Sequence, residues 1–330
     1  MPFTIRVPAT SANLGSGFDC AGIAWNLYAN YMFHLRQSDD NPAQAPVFSN
    51  AAAAGHHYGR NLVLDAYWRY AEMLGIALPR ISVYIASDIP STRGLGSSAA
   101  CIVAGAEAAR FMARRLTPPM RGVRFTDASI LRVATEVEGH PDNVAPALYG
   151  GLQISRFIDG RVKACSCPLS EHLRFHVLIP DFASSTEKSR AGLPETVSRK
   201  DAVFNLSSFG FLLEGLRTGD AKLLQIGLKD RLHEPYRRPQ IVQFEAWEKK
   251  AVAVGAAGLV ISGAGSTLLC VSLAEAESRV EVALNEDVPK GWKVRAVRPD
   301  FVGATIAASD EEKASRKHYR SWRVLSAFGS

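Results

Sequence analysis

Hydrophobic and polar positions change period several times along the chain, and each change predicts an element. Phe3 to Val7 alternates, the mark of a short strand, and runs into a polar turn over Thr10 to Gly17. Ala21 to Leu35 is apolar and aromatic and predicts one or two further strands. From Gln37 to Arg60 no period holds, and two Asp, two Pro, six Ala and a His pair predict a surface excursion. Asn61 to Gly75 returns to helical spacing, with Leu62, Ala66, Tyr70 and Met73 on one stripe and Gly75 as the helix end.

Arg80 to Ala86 alternates as a half-buried strand and ends at Asp88-Ile89-Pro90. Past a small polar loop, Ala99 to Arg115 is rich in Ala, Met and Arg and predicts a helix that begins at about Ser97. Thr126 to Glu138 predicts another, capped by Thr126 or Asp127 and stopped at Gly139-His140-Pro141. The second half has a different grammar. Strands are expected at Phe175–Ile179, Ala257–Ser262, Thr267–Leu273 and Trp292–Val297, and helices at Asp201–Leu216, Ile241–Val254 and Glu275–Leu284. That order predicts an antiparallel sheet with helices on one side. The change of grammar places a boundary near residues 155–172, and the basic tail from Ser309 to Arg323 reads as a solvated surface helix.

A chain of 330 residues is long enough for two domains. With 47% hydrophobic and 21% charged residues it can bury a large core, which excludes disordered and fibrous classes. The net charge of +6 suits an anionic small molecule as well as nucleic acid. The basic residues are spread out and no aromatics interleave with them, so no nucleic-acid partner is expected. Neither a long apolar run nor a basic-then-apolar leader is present, which predicts no membrane span and no secretion. Five scattered cysteines argue against a disulfide scaffold and for a cytoplasmic setting. Cys165-x-Cys167 lacks a second ligand pair and reads as structural rather than as a zinc site, and His56-His57 reads as solvent-exposed.

Four segments could carry chemistry. In Ser91-Thr92-Arg93-Gly94-Leu95-Gly96-Ser97-Ser98 the glycines allow close backbone approach, and the helix that follows points its free amides into the loop. Such a place suits a phosphate chain, or is simply a flexible turn with a cap. No Lys follows the glycines, so this is not the Walker pattern. Glu138-Gly139-His140-Pro141-Asp142-Asn143 offers a carboxylate for Mg²⁺ and two hydrogen-bonding side chains, or else a helix stop with an Asx turn. Glu136 falls on the far side of that helix. Thr10 to Asp19 is small, polar and ends in a carboxylate, as a turn between strands also would. Ser262-Gly263-Ala264-Gly265-Ser266 is either a tight hairpin or a close approach to a ligand.

Together these segments resemble the kinase superfamily acting on galactose, homoserine, mevalonate and phosphomevalonate, the GHMP kinases. Pro90-x-x-x-Gly94-Leu95-Gly96-Ser97-Ser98-Ala99-Ala100 is similar to its phosphate loop, and Ser262-Gly263-Ala264-Gly265 to its C-terminal glycine motif. Pro8 to Asp19 and Glu138 to Ala147 resemble the homoserine-phosphorylating branch. The resemblance implies an α+β fold: a left-handed βαβ phosphate-binding domain over residues 1–160, a ferredoxin-like domain over 161–305, and a basic tail over 306–330.

It also implies ATP on Pro90, Ser91, Thr92, Arg93, Gly94, Leu95, Gly96, Ser97, Ser98, Ala99 and Ala100, with Ser98 and Glu138 as Mg²⁺ ligands and Glu136 as the alternative to Glu138. Asn13, Asp19, His140 and Asn143 would line the substrate pocket, Asp19 facing an ammonium. Arg190 and Arg237 would grip a carboxylate, as a planar guanidinium does bidentately. Asn13, Asp19 and Arg190 stand nearest the chemistry, and no side chain is assigned as a base. The implied reaction is phosphorylation of L-homoserine by ATP, in threonine biosynthesis, and self-association as a homodimer is compatible with it. The alternatives are a kinase of another small alcohol, mevalonate-like or sugar, and a nucleotide-binding sensor without catalysis.

Overall fold

The computed structural model describes residues 2–35, 56–57, 60–116, 125–159, 161–184 and 186–307. Most of the 37–60 excursion and the tail after 307 lie outside the described residues.

The first strand, β1 (Phe3–Asn13), and β2 (Gly17–Leu35) form one long antiparallel hairpin. The polar stretch from Thr10 to Asn13 is strand rather than turn, so only 14–16 turn the chain. It is buried, and its hydroxyls are paired inside the protein instead of with water: Ser11 Oγ accepts from Trp25 Nε1 at 2.8 Å. A short ladder, β3 (His56–His57) with β4 (Arg60–Asn61), leads into α1 (Leu62–Leu74). The side chain of Asn61 caps that helix through Leu64 N, and Gly75 closes it. Then come β5 (Ile81–Ser87), α2 (Ser97–Leu116), α3 (Asp127–Glu138), α4 (Val144–Tyr149), β6 (Leu152–Ile158) and β7 (Arg161–Cys167). Thr126 caps α3 through Ser129 N.

Strands β5 and β6 both pair antiparallel with β2, on the edge that β1 leaves free, and therefore run parallel to each other. Helices α2 to α4 make the crossover between them. This is the βαβ unit that carries the glycine-rich loop of residues 91–98, between β5 and α2. The apolar side chains Ile5, Val7, Tyr31 and Phe33 share one core with Val63, Tyr67 and Tyr70 of α1 and Ile102 and Val103 of α2. Each such fully buried side chain contributes about 1.5–3 kcal/mol.

The second unit begins with β8 (Leu173–Pro180), followed by α5 (Thr186–Ala191), α6 (Arg199–Thr218), α7 (Ala221–Gly227), α8 (Glu234–Arg237), α9 (Phe244–Ala253), β9 (Gly258–Ile261), β10 (Leu268–Leu273), α10 (Glu277–Asn285) and β11 (Trp292–Val297). Its sheet order is β11-β8-β10-β9, all antiparallel, which is the ferredoxin-like arrangement. Leu178, Phe244, Trp247, Ile261, Cys270 and Leu284 form its own core.

The two units interlock. The last described element, β12 (Thr305–Ala307), returns to pair with β1 in the first sheet. A boundary at 160/161 falls inside the β6–β7 hairpin, both strands of which belong to that first sheet. Trp25 of β2 packs against Phe175 of β8 at 4.9 Å between ring centroids, so the first core runs into the second sheet. No helix among the described residues is long and apolar enough to cross a membrane.

Candidate active site

A cleft lies where the units meet, lined by Asn13, Asp19, Gly94, Gly96, Ser97, Ser98, Glu138, His140, Asn143, Arg190, Arg237, Gly263 and neighbours. All four chemically dense segments of the sequence converge on it, across separations of up to 250 residues.

The Gly94–Gly96 loop is built from backbone. Gly94 and Gly96 have φ of +77° and +68°, a region L side chains rarely adopt. Close packing adds a second reason for glycine. A Cβ on Gly96 would sit 1.9 Å from Thr10 Oγ1, and one on Gly94 would sit 2.1 Å from the Ser262 carbonyl. The loop is therefore clamped by β1 and by the glycine motif. Thr10 N donates to Leu95 O at 3.1 Å, Ser262 Oγ donates to Gly94 O at 2.6 Å, and Thr267 N donates to Arg93 O at 3.1 Å. Of the loop residues, Leu95, Ala99 and Ala100 bury their side chains in the core, so only their backbone is near the cleft. Arg93 spends its guanidinium on the carbonyls of Ser91, Pro180 and Asp181, tying the loop to the second unit.

Behind the loop, Ser98 Oγ donates to Glu138 Oε2 at 2.6 Å. Helix α2 presents the hydroxyl and the end of α3 the carboxylate. Glu136 is turned away and ion-paired to Arg69 and Arg132. His140 Nδ1 lies 2.6 Å from Asp142 Oδ1. Burial would pull the imidazole down, but the Asp142 carboxylate, with Glu138 and Asp19 beyond it, pushes it up to about 9. Asn143 holds its Oδ1 against Thr10 Oγ1 at 2.8 Å.

The opposite end of the cleft is built from charge. Asn13 and Asp19 both take left-handed backbone, with φ of 73° and 56°, which Asn and Asp tolerate better than most residues. Asp19 N donates to Asn13 Oδ1 at 3.0 Å, and Asn13 Nδ2 donates to Gly263 O at 2.7 Å. Arg190 grips Asp19 bidentately at 2.7 and 2.9 Å, so the two residues expected to take opposite ends of a zwitterion hold each other. Arg237 is 3% exposed and has no carboxylate partner among the described residues. Its Nη1 donates to Gly263 O at 3.2 Å, its Nε is unpartnered, and burial lowers its pKa.

The sequence reading missed Thr10, Ser11, Asp142 and His233. All four are polar residues buried to 2% or less, and burial is the signal a linear pattern cannot show. Residues 165 and 167 lie side by side in β7 as free thiols. Among the described residues no cluster of three His, Cys, Asp or Glu side chains could hold a metal by itself.

Residues 61–151 match the family model of the GHMP kinases N terminal domain. The chain is 36% identical to the homoserine kinase of Crocosphaera subtropica over 92% of its own length and 97% of that protein's. It is 38% identical to the homoserine kinase of Microchaete diplosiphon, over 90% and 92%. The crystal structure of the homoserine kinase of Cytophaga hutchinsonii superposes with a TM-score of 0.78 at 28% identity, covering 93% of this chain and 97% of that one.

Proposed function

The chain belongs to the homoserine kinase family of the GHMP kinases, and from that premise we propose how its cleft moves the γ-phosphoryl group of ATP to the hydroxyl of L-homoserine. The observation that carries the reading is the pairing of opposite ends in one cleft: a clamped amide loop at one, and Asp19, Arg190 and the unpaired Arg237 at the other.

At the nucleotide end, the loop amides and the start of α2 take the phosphates by hydrogen bonds that need no side-chain rearrangement. Ser98 and Glu138 offer two hard oxygens beside that cradle, a donor set that fits Mg²⁺ and would hold it there. Bound there, Mg²⁺ would offset the charge on the phosphates.

At the substrate end, an amino acid brings both charges of the Asp19–Arg190 pair. Its ammonium takes over Asp19, while its carboxylate takes over Arg190 and satisfies Arg237. A ligand with one charge would leave one of these groups unpaired in a partly buried site, which costs more than the contact returns. That separates homoserine from mevalonate and from sugars. His140 and Asn143 wall the space between the two ends, where the hydroxyl must meet the γ-phosphorus in line. Asp19 faces a cation in both states, Arg190 or the substrate ammonium, and is ill-placed to take the hydroxyl proton. The loose transition state of phosphoryl transfer asks little prior activation of the nucleophile, so no side chain is needed as base.

The test is an ADP-release assay on homoserine, mevalonate, galactose and serine, with and without Mg²⁺. Turnover is expected with homoserine and Mg²⁺ alone. Glu138→Gln is expected to lower kcat by about 100-fold or more, with KM for homoserine nearly unchanged. Turnover of mevalonate or galactose without turnover of homoserine would overturn the reading.

A further inference from the structure

Next to the cleft, but outside its lining, His233 is fully buried immediately before α8. Its two ring nitrogens reach two different parts of the substrate end. Nε2 is 3.0 Å from the carbonyl of Gly15, in the turn between Asn13 and Asp19, and Nδ1 is 3.3 Å from Arg237 Nη1. A guanidinium can only donate, so Nδ1 must accept, and Nε2 then carries the hydrogen that Gly15 O receives. The two contacts specify one neutral tautomer. Burial favours the same form by lowering the pKa of the imidazole.

The ring is held from every side. Phe18 stacks on it at 5.0 Å and also lies beneath the Arg237 guanidinium, at 5.3 Å. Asp230 Oδ2 accepts from the backbone N–H of Leu232, His233 and Glu234, fixing the chain that carries the imidazole. Asn205 completes the frame by donating from Nδ2 to Asp230 Oδ1 at 2.7 Å.

We infer that His233 is a positioning residue: its imidazole sets the buried Arg237 guanidinium and the 13–19 turn in register, so that carboxylate and ammonium are read at a fixed separation. The inference rests on the substrate assignment above. A flexible side chain in place of the ring would leave Arg237 resting on Phe18 with Gly263 O as its hydrogen-bond acceptor, free to turn out of register.

The experiment compares L-homoserine with 3-aminopropan-1-ol, the same amino alcohol without the carboxylate, in His233→Gln and His233→Asn. His233→Gln is expected to raise KM for homoserine about tenfold, with kcat within about threefold and KM for ATP unchanged, since one neutral hydrogen bond to a charged group is at stake. With 3-aminopropan-1-ol the penalty should shrink to threefold or less. His233→Asn, which keeps an acceptor near the Nδ1 position, should recover part of the homoserine KM. Equal losses on both substrates, or no loss on homoserine, would overturn the inference. Should both variants fail to fold, ¹⁵N spectra of the wild-type imidazole decide instead. An unprotonated Nδ1 whose shift moves with homoserine but not with 3-aminopropan-1-ol supports the role, and a protonated or unresponsive Nδ1 overturns it. If wild-type protein does not phosphorylate homoserine at all, the substrate assignment fails, and the wild-type spectrum still reports on the His233 contacts.

Discussion

The two ends of the cleft are built by different means. The glycine-loop end is main chain, wedged between Thr10 and the Ser262 carbonyl with no spare space at either glycine. The Asp19 end is side chain: Asp19 and Arg190 are each about one-third or more exposed and satisfy one another. Backbone amides are shared by every sequence that can reach the fold, so on the reading proposed above the first end would recognise phosphate generically. Charged side chains can be exchanged one at a time, so the second end would carry the selectivity. An enzyme that must keep a common nucleotide and choose among small alcohols gains from keeping these two problems apart.

The largest effect should come from breaking the rigid end. Gly96→Ala puts a Cβ against Thr10 Oγ1 at a positive φ, and is expected to cost about 2–4 kcal/mol of stability, read by chemical denaturation. Turnover should fall together with affinity for ATP. A fully stable, active variant would show that the loop is not clamped. Next, Asp19→Asn removes charge at the adaptable end alone. KM for homoserine should rise about 10- to 100-fold, with kcat falling less and KM for ATP unmoved, as steady-state kinetics would report. A collapse of kcat at constant KM would make Asp19 a base and end the contrast drawn here.

The smallest effect concerns a support shared by both ends. Glu234 is buried, accepts from Ile261 N at 2.8 Å just before the glycine motif, and pairs with Arg238. Burial pushes its carboxyl up to about 7, from 4.5, against the opposing pull of Arg238. With the folded pKa raised, its contribution to stability is fully present below about pH 4.5 and is lost as pH rises through about 7. Glu234→Gln should flatten the fall in stability across that window, measured as denaturation midpoint against pH. An unchanged slope would show that Glu234 is ionised throughout.

Much of this was legible in the chain itself. The alternation over 80–86, the cap at Thr126 and the strand at Trp292–Val297 are local patterns, and the structure reproduces them to within a residue or two. The stretch from Thr10 to Asn13 was not legible as strand. Its side chains are polar because they are paired inside the protein, and a period count treats polar as exposed. The same blindness hid Thr10, Ser11 and His233, each buried with partners far off in sequence.

Sequence by itself determined which residue types were available: small polar loops with glycine at the turns, carboxylates at Asp19 and Glu138, guanidinia at Arg190 and Arg237. Those choices are local, set by the backbone and the pattern around each residue. Only the tertiary structure decided which of them meet. It put Glu138 rather than Glu136 against Ser98, closed Asp19 onto Arg190, and left Arg237 buried without a carboxylate partner among the described residues. Pairing of charges depends on distances of a few ångströms between segments that lie far apart along the chain, and those distances exist only once both cores have packed.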